Sequence, residues 1–119
     1  MIEDILKNKL ASSDNVVFGY LFGSYATQTQ TQKSDIDIAL WLKDTSLDAQ
    51  LQINYELSKL LKKDVDLVLL NSIKNIYLLE SILKEGKVLK DSDERFDFEL
   101  LKEHQILDYK AFKKYIDAA

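Results

Sequence analysis

The seven-residue run Val16-Val17-Phe18-Gly19-Tyr20-Leu21-Phe22 most constrains how this chain can fold. It is continuously apolar and rich in β-branched and aromatic residues, so it reads as a strand buried on both faces. A strand of that kind belongs to a sheet with helices packed on it. The flanking segments supply such helices. Ile2, Ile5, Leu6 and Leu10 follow helical spacing until Ser12-Ser13-Asp14-Asn15 breaks the pattern. Ser46 or Asp48 can cap a helix whose stripe is Ile53, Leu57, Leu60 and Leu61. Asn75 to Glu85 reads as a helix with Ile76, Leu79 and Leu83 on one side, closed by Gly86 as a left-handed cap. Lys87-Val88-Leu89 is then a short edge strand. With 119 residues and neither proline nor repeats, the chain is expected to form a single α/β domain, 1–119, on a small mixed sheet.

Just beyond the apolar run stands Gly23-Ser24, followed after ten residues by Asp35-Ile36-Asp37. Glycine lets the backbone turn sharply and approach a ligand closely, while the Ser24 hydroxyl and the N–H groups after it can donate to phosphate oxygens. A short helix from Ser24 is expected to run into a mobile loop through the Thr/Gln stretch Thr27 to Gln32. Asp35 and Asp37 open a second strand, Ile36 to Leu42, in which Ile36, Ile38, Leu40 and Leu42 share one face. Side chains alternate with period two, so both acids point to the other face. Neighbouring carboxylates repel unless solvated, protonated or holding a cation, and Mg²⁺ is the natural cation.

Lys63 to Leu70 reads as another buried strand, with Asp66 as the odd residue out. An unpaired buried charge costs on the order of 3–5 kcal/mol. Asp66 is therefore expected to be a further metal ligand and the group that takes a proton from an attacking hydroxyl. Two plainer readings stand beside that one: a surface acid on an edge strand, or a partner of Lys62 or Lys63. Asp64 shares parity with Asp66 and competes as the third acid, although it lies at the strand mouth.

Lys + Arg number 16 against 20 Asp + Glu, a net charge of −4, and no basic block stands out. Nucleic-acid binding draws on clustered Lys and Arg, so this balance argues against a DNA or RNA substrate. Cysteine is absent, which excludes disulfides and thiolate chemistry and fits a reducing compartment. No apolar run approaches 18 residues and Met1-Ile2-Glu3-Asp4 carries no basic leader, so a soluble, cytoplasmic protein is expected.

Gly23-Ser24, the spacing to Asp35 and Asp37, and the later lone Asp66 together resemble the nucleotidyltransferase superfamily that includes DNA polymerase beta. The short chain is similar to the minimal nucleotidyltransferases (MNT), a class paired with small HEPN-domain proteins as antitoxin and toxin. The resemblance covers residues 15–90 well and the helical tail, 93–117, more loosely. It implies transfer of AMP from ATP to a hydroxyl, a tyrosine's in the paired case, on a HEPN-type RNase toxin. In that reading Asp35 and Asp37 bridge two Mg²⁺ ions, Asp66 holds the ion at the acceptor, and Gly23 and Ser24 grip the β/γ-phosphates. Alternatives are a catalytically silent antitoxin that masks its partner sterically, and a stand-alone enzyme acting on a small hydroxylated molecule.

Other residues carry weaker signals. Lys33 can reach a triphosphate but is also an ordinary loop lysine. Tyr25 and Thr27 can line a nucleotide pocket or pack the helix; Trp41 can flank the site or serve the core; His104 reads as a solvated or packing residue. The tail from Asp93 to Ile116 carries more apolar residues than one stripe holds, so it needs more than one neighbour. Tyr109, Phe112, Tyr115 and Ile116 are expected to meet another chain, either a second copy or a helical partner.

Overall fold

In the computed structural model, which describes residues 2–118, the apolar run is strand β1 (Val16–Phe22), reached through helix α1 (Ile2–Ala11). Met1 and Ala119, the ends of the expected 1–119 domain, lie outside the described residues. The chain continues through α2 (Ser24–Thr27), β2 (Ile36–Leu42), α3 (Leu47–Leu61), β3 (Val65–Leu69), a 3₁₀ turn (Leu70–Ser72), α4 (Ile76–Glu85), β4 (Lys87–Lys90) and α5 (Asp93–Ala118). The strands form one mixed sheet in the order β3-β2-β1-β4, with β1 antiparallel to β2 and β4, and β2 parallel to β3. Helices cover both faces, as the two-sided burial of β1 requires. Leu6, Leu10 and Leu57 of α1 and α3 pack on Ile36, Ile38, Leu40 and Leu42. On the other side Leu79, Ile82, Phe98 and Ile106 of α4 and α5 pack on Phe18, Tyr20, Phe22 and Ala39. A register shift between Val16 and Phe18 lets these two residues serve opposite faces despite their equal parity.

Local chemistry sets the helix ends. Ser46, rather than Asp48, caps α3: its hydroxyl accepts from the Ala49 N–H at 3.2 Å. The Asn75 side chain accepts from the N–H groups of Tyr77 and Leu78 at 3.0 and 3.1 Å. Gly86 departs from expectation, with φ of −68° instead of a left-handed value. Its requirement is closeness, since a Cβ there would stand 2.3 Å from the Ile82 carbonyl oxygen.

Three further differences concern burial. Ile5 and Leu60 are exposed, while Ile82 is buried where Leu83 was expected to lead. Strand β3 is not an interior strand but one edge of the sheet, and Asp66 is exposed on it. The tail is one 26-residue helix in which only Phe98 and Ile106 are buried. Phe98 closes on Phe18 and Trp41, whose rings stack at 5.8 Å, so Trp41 is a core aromatic. Tyr20 Oη donates to Glu99 Oε1 at 2.6 Å and Arg95 Nη1 donates to the same oxygen at 2.9 Å, tying the start of α5 to β1. Beyond Ile106 the helix is exposed and meets α4 through the Lys110–Glu80 ion pair and a 2.9 Å bond from Lys113 Nζ to Tyr77 Oη. None of the described helices is long and apolar enough to cross a membrane.

Candidate active site

Three pieces of backbone meet at one end of the sheet. Strand β1 stops at Phe22, and the chain turns at Gly23 with φ 71° and ψ −153°, a conformation essentially confined to glycine. A Cβ on Gly23 would stand 2.2 Å from Asp37 Oδ2, so the turn and the carboxylate occupy adjoining space that admits no side chain. The Gly23 carbonyl accepts from the N–H groups of Ala26 and Thr27 at 3.1 and 3.2 Å, which folds the next residues into α2. Half-buried Ser24 is the first residue of that helix.

Strand β2 carries Asp37 between Phe22 on one neighbour and Asp66 on the other, both in direct register with it. The parallel pairing of β2 with β3, extended by the Ile36 N–H donating to the Asp64 carbonyl at 3.0 Å, brings the two acids side by side. Asp37 is half-buried; Asp35, just before the strand, and Asp66 are exposed. The Asp37 carboxyl is raised above its ordinary 3.8, first by burial, then by the charges of Asp66 and Asp35. The pairing with Asp37, not burial in an apolar strand, is what gives Asp66 its place.

These oxygen donors suit a hard divalent cation such as Mg²⁺. Like charges crowding a half-buried carboxyl fit such an ion, because a bound cation offsets their repulsion. Among the described residues no three His, Cys, Asp or Glu side chains close on one point. Asp37 and Asp66 are paired across the two strands, and Asp35 bears on Asp37 through its charge.

Residues 4–95 match the family described as polymerase beta, nucleotidyltransferase. The chain belongs to that family. Protein adenylyltransferase MntA of Shewanella oneidensis is 40% identical to this nucleotidyltransferase over 93 residues, 74% of this chain and 66% of that relative's length. A putative protein adenylyltransferase of Methanocaldococcus jannaschii is 40% identical over 85 residues, 68% of this chain and 87% of that relative. Among solved structures, a crystal structure of a toxin-antitoxin with AMP-PNP matches at TM-score 0.76 and 32% identity, covering 99% of this chain and 94% of the other. A chain from the complex of tri-AMPylated Shewanella oneidensis HEPN toxin with MNT antitoxin matches at TM-score 0.71 and 26% identity, covering 98% and 96%.

The candidate site also has surroundings that the motif does not announce. An open cavity of about 320 Å³ beside the acids is lined by Gln32, Lys33, Ser34, Asp35, Lys62, Lys63 and Asp64. Lys63 Nζ donates to the Gln32 carbonyl at 3.0 Å, tying the loop ahead of Asp35 to the start of β3. In sequence Lys62 and Lys63 are neighbours of Asp66 rather than of Asp35, and their place beside Asp35 depends on strand pairing. The remaining candidates fall to plainer roles. Tyr25 packs against the α1/α3 core, the Thr27 hydroxyl bonds within its own turn, and His104 is exposed on α5.

Proposed function

We propose that this chain is a Mg²⁺-dependent protein adenylyltransferase. It moves AMP from ATP to a hydroxyl, that of a tyrosine, on a HEPN-type RNase toxin, and so acts as that toxin's antitoxin in the cytoplasm. The observation that carries this reading is the in-register Asp37–Asp66 pair set against a glycine turn with no room for a side chain. The names of its relatives, adenylyltransferases and toxin–antitoxin complexes, support the same activity.

Gly23 and Ser24 grip the β- and γ-phosphates of ATP. Asp35 and Asp37 would hold two Mg²⁺ ions, with Asp66 as an additional ligand; bound there, Mg²⁺ would neutralise charge developing on the phosphates. Asp66, exposed on the edge strand, is open to the acceptor and takes its hydroxyl proton. The acceptor oxygen attacks the α-phosphorus, the bond from that phosphorus to the β-phosphate oxygen breaks, and pyrophosphate leaves. Exposed Phe112, Tyr115 and Ile116 on α5 offer the helical partner an apolar surface.

The test weighs a HEPN-type protein encoded beside this chain by intact mass spectrometry after incubation with ATP and Mg²⁺. Mass increments of one or more AMP residues are expected, absent when Asp35→Asn and Asp37→Asn are combined or when the metal is chelated. An unmodified partner whose RNase activity is nonetheless silenced would replace this reading with steric masking. AMP found only on small hydroxylated compounds would replace it with a stand-alone enzyme.

A further inference from the structure

Helix α3 turns Leu57 to the sheet, with Ile53 and Leu61 half-buried beside it. Its outer side is not the polar surface that a solvated helix presents. Leu47, Leu51 and Tyr55 recur every four residues there and are 69%, 59% and 62% exposed. At 3.6 residues per turn the three form one slanting stripe about 80° wide, with Asp48 and Lys59 on the same flank of it. The Lys59 ammonium lies 5.8 Å from the centre of the Tyr55 ring, which keeps it at the end of the stripe. Tyr55, Lys59 and Leu60 then border an open groove of about 490 Å³ with Lys9 and Glu56. Contiguous exposed apolar side chains rimmed by charge mark a contact surface.

We propose that this stripe docks a second copy of the chain, the two α3 helices lying antiparallel about a twofold axis. Charge decides the occupant. The helix carries Asp48 in its first turn and Lys59 in its last. Antiparallel pairing sets Leu51 of one protomer against Tyr55 of its partner, and Asp48 of one against Lys59 of the other, with each contact made twice. The opposed helix dipoles add to the match. A parallel copy would instead set Asp48 against Asp48 and Lys59 against Lys59. At 15 residues, α3 is about 22 Å long, so the contact belongs to the small, reversible class of interfaces. The stripe lies across the sheet from α5, so self-association and capture of a helical partner on α5 do not compete.

Sedimentation equilibrium on the full chain, from micromolar concentrations to about 1 mM, tests the arrangement. A concentration-dependent monomer–dimer equilibrium is expected. Asp48→Lys and Lys59→Asp should each weaken it by about tenfold, because two symmetry-related pairs become repulsive. Combining both substitutions should restore it to within about threefold, and Tyr55→Glu should abolish it. Circular dichroism checks that each variant keeps its helix content; if Tyr55→Glu unfolds, the two charge reversals and their combination decide alone. A chain that stays monomeric throughout overturns the proposal, as does a dimer indifferent to these variants. A double reversal no better than the singles would assign the stripe to a different protein or pairing.

Discussion

Gly23→Ala probes the junction on which the candidate site is built. The new Cβ meets two obstacles: a backbone held at φ 71° and ψ −153°, and Asp37 Oδ2 at 2.2 Å, with Asp37 Cγ at 3.0 Å behind it. Holding a non-glycine residue in that backbone region costs about 1–3 kcal/mol. Pushing the Asp37 carboxylate off its rotamer adds about 0.5–1.5 kcal/mol. The expected loss is therefore about 1.5–4.5 kcal/mol, and for 119 residues each kcal/mol lowers Tm by roughly 3–6 °C. Urea denaturation followed by circular dichroism measures it. A cycle with Asp37→Ala separates the two causes, because that change removes the blocking oxygen and leaves the backbone strain. A coupling of about 0.5–1.5 kcal/mol is expected. Transfer should fall by about 10²-fold even where the variant is folded, since displacing a positioned group by about 1 Å has that effect. A variant within about 0.5 kcal/mol of the parent and fully active would refute the geometry argued for Gly23 and Asp37.

Asp66→Asn should leave ATP binding by calorimetry nearly unchanged while lowering transfer by about 10²–10⁴-fold; full turnover would return Asp66 to an ordinary edge-strand acid. Burial, then the hydrogen bond and charge of Glu99, hold the Tyr20 phenol well above its ordinary 10.0. A group raised on folding contributes stability that is complete below its unfolded value and lost above it. The fold should thus weaken by about 1.4 kcal/mol per pH unit above pH 10, and Tyr20→Phe should remove that alkaline slope. Parallel urea midpoints for the two proteins from pH 8 to 11 would contradict the assignment. Phe112→Glu combined with Ile116→Glu should leave the circular dichroism spectrum intact, because both side chains are exposed, yet weaken capture of the HEPN partner. Loss of the fold would place these residues in the core, and unimpaired capture would remove α5 from the interface.

Periodicity and punctuation made much of this protein legible. Val16–Phe22 and Ile36–Leu42 occupy the residues their apolar patterns mark, and Ser46 and Asn75 begin helices through bonds within a few residues of themselves. Burial of β3 was not legible, because an apolar run reads alike at the centre of a sheet and at its edge. Gly86 misled for a related reason: a glycine after a helix signals either a left-handed cap or a close approach, and the Ile82 carbonyl decides which.

By itself the sequence determined the strands, the glycine turn and the acidic pair Asp35 and Asp37, since each rests on side-chain period or backbone sterics among near neighbours. Tertiary structure alone decided that Asp66 meets Asp37, because that contact depends on β2 and β3 pairing in parallel at one register. It likewise decided that Gly23 must lack a side chain where Asp37 stands, and that Leu47, Leu51 and Tyr55 face away from the sheet. Distances between residues remote in the chain are set by how whole elements pack, and no local pattern carries them.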